Sequence, residues 1–135
     1  MTTTETIPTR YVKFARIAHE LAEANRNTMS HSVAAIILNK NKVVSIGYNS
    51  RKTSPMMVGT RMSMFHAECD ALSRCVVDTR GLDIVVARSR RSGLPGMAKP
   101  CEHCHSMLKK FGIRKVIYTT NSDDVANPEV ECYEL

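Results

Sequence analysis

At 135 residues with 43% hydrophobic content, the chain is long enough for one hydrophobic core and too short for two, so a single domain over residues 1–135 is expected. The longest unbroken apolar run, Val33 to Leu38, is six residues, far below the roughly 18 that a membrane span requires. The polar start Thr2-Thr3-Thr4-Glu5 has no secretory signal character, which points to a cytoplasmic protein with no membrane partner.

Along the chain, Tyr11 to Asn25 places Phe14, Ile17, Ala18 and Leu21 at helical spacing, predicting an amphipathic first helix. Ser32 to Leu38 and Val43 to Tyr48 are β-rich runs joined by the polar Asn39-Lys40-Asn41-Lys42, which predicts a hairpin. Ser50 to Phe65 has no sustained period and contains Pro55 and Gly59, and it reads as a pocket-lining loop. A helix is predicted from His66 to Val76, a strand from Asp83 to Ser89, and a loop containing Gly93, Pro95 and Gly96. A second helix-forming stretch from Pro100 to Phe111 follows, closed by Gly112 as a C-terminal cap, with Pro100 suited to the first helical position. Lys115 to Thr119 is a fourth strand, and Val130 to Glu134 a possible fifth. Only ten residues, 120–129, connect those two, fewer than the dozen or so that a parallel crossover needs, so the last strand is expected antiparallel to the fourth. The alternation of strands and helices predicts an α/β sandwich with a partly parallel sheet.

Charge is divided unevenly. The net charge is +6, yet all 19 basic residues fall within positions 1–120 beside eight acidic ones, whereas 121–135 hold five acidic residues and no basic one. A basic body with an acidic tail attracts anions, either nucleotide phosphates or a nucleic-acid backbone.

The chemistry is concentrated in His66-Ala67-Glu68 and, after residues 69–100, in Cys101-Glu102-His103-Cys104. Catalytic zinc takes three nitrogen or sulfur ligands and keeps a fourth position for water, and His66, Cys101 and Cys104 are such a set. A helix beginning at the cysteines would favour their thiolate forms. Glu68 is the spare carboxylate, suited to exchange protons with a water acidified by the metal. Residues two apart point to nearly opposite sides of an ideal helix, so His66 and Glu68 must stand at a helix start to serve one site. Five cysteines are an odd number, and Cys69, Cys75 and Cys132 read as reduced core thiols without an assigned role. His19 and His31 read as packing or surface residues.

These motifs resemble the signature of the cytidine and deoxycytidylate deaminase superfamily, His-x-Glu followed by Pro-Cys-x-x-Cys. The resemblance runs from about Tyr11 to Thr119, taking in Gly47-Tyr48-Asn49 and Gly112 to Tyr118, and leaves residues 120–135 as an acidic tail. Lys52-Thr53-Ser54-Pro55 and Ala98-Lys99-Pro100-Cys101 look most like small nucleotide-type deaminases of phages and bacteria. The antiparallel last strand resembles the free-nucleoside deaminases instead. The resemblance implies a three-layer α/β/α sandwich on a five-stranded mixed sheet, a Zn2+ cofactor and a homo-oligomer that completes its pockets between subunits. The implied reaction is hydrolytic conversion of cytosine to uracil with loss of ammonia, on dCMP, CMP, cytidine or deoxycytidine, as in pyrimidine salvage. Glu68 is then the catalytic residue, and Asn49 and the backbone N–H of Ala67 hold the substrate. Lys52 and Arg88 are candidate phosphate contacts, with Arg51, Arg90 and Arg91 nearby.

Other readings are a deaminase acting on a base within RNA or single-stranded DNA, or on guanine or a modified base. Seven aromatic residues and no Trp offer few stacking platforms for a single strand. A last reading is a non-catalytic, zinc-stabilised module, closed by His103 or His105 as fourth ligand.

Overall fold

The computed structural model describes residues 7–26, 32–50 and 66–135. Helix α1 (Thr9–Ala24) is followed by strands β1 (Ser32–Asn39) and β2 (Lys42–Tyr48), helix α2 (Ala67–Arg74), strands β3 (Asp83–Ser89) and β4 (Pro95–Gly96), helix α3 (Glu102–Lys110), and strands β5 (Lys115–Thr119) and β6 (Val130–Glu134). Five long strands run in the order β2-β1-β3-β5-β6, and the two-residue β4 pairs with β3 off that path. The expected five-stranded mixed sheet is present, and Pro95–Gly96, expected as loop, adds the sixth short element.

β3 and β5 are parallel, and every other pairing is antiparallel, including β6 against β5. The ten-residue link thus returns the chain as its length requires. In the β1–β2 turn Lys40 adopts φ 58°.

Strand pleating divides the core into two layers. Ile36, Val85, Ile117 and Cys132 are neighbours across the sheet and join Tyr11, Phe14, Ala15 and Ala18 of α1 in one cluster. The next residues along, Ile37, Ile84, Val116 and Tyr133, are likewise neighbours and face the other side, packed with Ala67, Ala71 and Leu72 of α2 and Leu108 of α3. The result is α1, sheet, then α2 with α3, the three-layer sandwich.

Two backbone details fix the site helices. α3 begins at Glu102 with Cys101 as its extended N-cap, φ −69° and ψ 170°, so Pro100 precedes the cap and does not occupy the expected first helical position. At its other end Gly112, at φ +78°, closes the helix: its N–H bonds Lys109 O at 3.1 Å and the Ile113 N–H bonds Leu108 O at 3.1 Å, the Schellman pattern. No helix among the described residues is long and apolar enough to cross a membrane.

Candidate active site

α2 and α3 begin in the same way. His66 is the N-cap of α2 and Cys69 its third residue; Cys101 is the N-cap of α3 and Cys104 its third residue. An N-cap side chain naturally turns toward the third helical residue, where it would usually accept a hydrogen bond from backbone. Neither His66 nor Cys101 makes that cap bond. Their side chains converge instead with Cys104: His66 Nδ1 is 3.2 Å from Cys104 Sγ and 3.6 Å from Cys101 Sγ, and all three donors lie within 4.8 Å of one another.

That spacing suits zinc. A tetrahedral ion with bonds of about 2.0 Å to nitrogen and 2.3 Å to sulfur would hold such donors about 3.6 Å apart. The set is the one His–Cys–Cys group of this kind among the described residues. Cys69 shares a hydrogen bond with Cys104 but stands outside the set, His105 Nδ1 is 3.2 Å from Tyr133 Oη, and His103 also stays outside. Hence no fourth protein donor closes the site among the described residues. The hydrogen bond with Cys69, then burial and the nearby Glu68, hold the Cys104 thiol above its ordinary pKa, so metal uptake must displace a proton there.

Glu68, second residue of α2 and 5% exposed, lies in the same place. Burial pushes its carboxyl up to about 7, against the opposing pull of its own backbone N–H, so it can both give and take a proton near neutrality. Beside it a cleft of about 150 Å³ opens, lined by Asn49, His66, Ala67, Glu68, Arg88 and Cys101, among others. It sits at the carboxyl ends of β2 and β3, the usual location for ligands of α/β sheets.

The strands and α2 supply the rest. Asn49 is buried, and its Oδ1 accepts the Val33 N–H at 2.9 Å, fixing the carboxamide orientation. Ala67, at the first position of α2, presents one of the N–H groups that a helix start leaves without an intrahelical acceptor. Asp70, which belongs to no sequence motif, is buried and accepts the Tyr48 N–H at 2.9 Å and Arg74 Nε at 2.9 Å, tying α2 to the end of β2. Arg88 lines the cleft, whereas Arg90 donates Nε to Pro95 O at 3.0 Å and a terminal nitrogen to Ser122 O at 2.9 Å and so serves structure. Arg91 is exposed at a turn. Arg51, Lys52, the expected pocket loop through Phe65, and His31 lie outside the described residues.

A larger groove of about 740 Å³, lined by Val12, Lys13, Arg16, Pro128, Val130 and Glu131, among others, lies on the α1 side and contains none of these site residues. Of the three cysteines outside the donor set, Cys69 and Cys132 are buried and Cys75 is half-buried.

The dCMP deaminase of cyanophage S-TIM5, solved in complex with dCMP and dUMP, is similar in fold, with a TM-score of 0.54 and 20% identity over 89% of this chain and 85% of that one. The cytidine deaminase of Mycobacterium tuberculosis gives 0.50 and 20% identity over 87% of each chain. The Thermotoga maritima diaminohydroxyphosphoribosylaminopyrimidine deaminase/5-amino-6-(5-phosphoribosylamino)uracil reductase gives 0.53 and 20% identity over 88% of this chain, which spans 32% of that longer one. No curated protein sequence matches the chain. The model for the cytidine and deoxycytidylate deaminase zinc-binding region matches residues 8–120, and the chain belongs to that family of zinc-dependent deaminases.

Proposed function

We propose that the chain deaminates a cytosine nucleotide or nucleoside hydrolytically, giving the uracil product and ammonia. The observation that carries this reading is the pairing of a three-donor set, His66, Cys101 and Cys104, which no fourth donor among the described residues closes, with a buried carboxyl, Glu68, in one cleft. A purely structural metal site would close with a fourth protein donor and would need no such acid.

His66, Cys101 and Cys104 would hold zinc. The ion supplies Lewis acidity that makes water nucleophilic near neutral pH. Glu68 takes a proton from the attacking water as it adds at C4, delivers it to N3, and then carries the second proton to the departing amino group. Cytosine and water become uracil and ammonia, and Glu68 ends as it began. Ala67 N–H and Asn49 hold the base carbonyl and the sugar or base, so that C4 stays beside Glu68. Arg88, with Lys52, is the candidate phosphate contact. The antiparallel β6 favours a second reading, in which the substrate is the free nucleoside.

The test is ammonia release by zinc-loaded protein on dCMP, CMP, deoxycytidine, cytidine, guanine and a cytosine-containing oligonucleotide, with Glu68→Gln as control. Turnover of a cytosine monomer that vanishes in the control while zinc is retained is the expected result. Turnover of guanine or of the oligonucleotide alone would replace the substrate assignment, and silence on the whole panel with one zinc bound would favour a non-catalytic module.

A further inference from the structure

Six of the nine arginines among the described residues find acceptors for their side chains. Arg10 and Arg114 meet Asp83, Arg26 meets Glu23, Arg74 meets Asp70, Arg80 meets Asp78, and Arg90 holds two carbonyls. Arg88 differs. It stands opposite Val33 on β3 and its backbone N–H donates to Thr119 Oγ1 at 3.2 Å, yet its side-chain Nε is shielded from solvent with no hydrogen-bond partner among the described residues. A guanidinium N–H removed from water without an acceptor is costly, so one that protein leaves unpaired calls for an acceptor from outside the chain, an ordered water or a bound anion.

Arg88 lines the cleft that contains Asn49 and Glu68, and Lys99 lines it too. Lys99 is exposed, its Nζ stands 5.9 Å above the Tyr133 ring, and no ion pair joins it to a carboxylate among the described residues. Lys99 directly precedes Pro100 and the ligand Cys101, so it is anchored to the metal motif by chain connectivity. The cleft therefore carries two cations beside one carboxylate, Glu68, which neither of them pairs with.

We propose that Arg88 and Lys99 form an anion subsite that holds the phosphate of a pyrimidine nucleoside monophosphate, so that the substrate is the nucleotide and not the nucleoside. This inference rests on the deaminase reading above. Phosphate is the fitting anion because a guanidinium offers it a planar pair of N–H donors while an ammonium adds a point charge, together serving several oxygens of one dianion. The antiparallel direction of β6 argues the other way only by fold analogy, and specificity is set by the groups in the site.

The experiment compares binding of the products dUMP and deoxyuridine to zinc-loaded protein by calorimetry, with inorganic phosphate as competitor, in the wild type, Arg88→Gln and Lys99→Gln. The exposed Lys99 gives a second variant that does not depend on how the half-buried Arg88 site tolerates change. The expected result is that wild type binds dUMP at least about tenfold more tightly than deoxyuridine, that each substitution narrows the ratio several-fold, and that phosphate competes with dUMP. Equal binding of dUMP and deoxyuridine, or a ratio that survives both substitutions, overturns the subsite. Companion turnover assays keep the two readings apart: turnover of deoxycytidine with no preference for dCMP overturns the subsite and leaves the deaminase standing. Failure to turn over any cytosine substrate overturns both.

Discussion

A Cβ built on Gly47 would lie 2.2 Å from the backbone nitrogen of Ala71 and 2.4 Å from the carbonyl oxygen of Ala67. α2 thus rests on β2 at backbone contact, and the Ser45 hydroxyl secures it by donating to Ala71 O at 2.7 Å. His66 and Glu68 owe their height above the sheet to this contact. Gly47→Ala should force α2 outward, costing about 2 kcal/mol or more as an overpacked site. Urea denaturation together with zinc content checks it: wild-type stability with a full zinc complement would contradict the close approach.

Asp70 and Arg74 form an ion pair at 2.9 Å, but the partners are unequal, because the Arg74 side chain is 66% exposed and that of Asp70 is 9% exposed. Removing Arg74 should cost only about 0.2–0.5 kcal/mol, as for other exposed helix pairs. Asp70→Ala should cost about 1–3 kcal/mol, since it leaves the Tyr48 N–H without its acceptor at the end of β2. Equal effects of Arg74→Ala and Asp70→Ala would show that the strand contact is not what Asp70 provides.

Cys69 and Cys104 hold the same position in their helices and share a hydrogen bond, yet only Cys104 belongs to the donor set. Cys104→Ala should therefore lose zinc on dialysis and unfold at lower temperature, since metal binding and folding are linked. Cys69→Ala should keep one zinc per chain, with a stability loss typical of a small buried side chain. Metal analysis by mass spectrometry separates them. Loss of zinc from Cys69→Ala would place its sulfur in the metal's coordination.

What the sequence revealed and what it hid follow from the range of the forces involved. β3, β5 and β6 have the bounds expected from the sequence, Asp83–Ser89, Lys115–Thr119 and Val130–Glu134, because pleating and burial are local demands. The convergence of His66 with Cys101 and Cys104 was legible because zinc allows few ligand types and spacings. α3 starts two residues beyond the expected Pro100, at Glu102, with Cys101 as an extended N-cap. Arg88 and Arg90 could not be told apart, because both stand at the end of one strand. Only β4 and the carbonyls of Pro95 and Ser122 decide that Arg90 is engaged and Arg88 is not. The Cys69–Cys104 contact was hidden for the same reason, being a meeting of two helix starts far apart in sequence.

His19 gives the fold a pH dependence of definite sign. It is 2% exposed on the sheet side of α1, and burial holds its pKa below the ordinary value, outweighing the Gly93 backbone, Glu23 and Glu20, which favour the charged ring; Arg26 adds to the lowering. The unfolded chain takes up a proton near pH 6.5 while the folded chain resists it to lower pH. Stability supplied by neutral His19 is therefore complete above about pH 6.5 and declines as pH falls through the depressed folded value. His19→Leu removes the titration and keeps an apolar group of similar size in the α1 layer. Zinc ligation also weakens in acid, but equally in both proteins, so the difference between their urea midpoints isolates His19. That difference should shift in favour of His19→Leu between pH 7.5 and pH 5.5, and a constant difference over the range would show that the imidazole takes up its proton alike in the folded and unfolded chains.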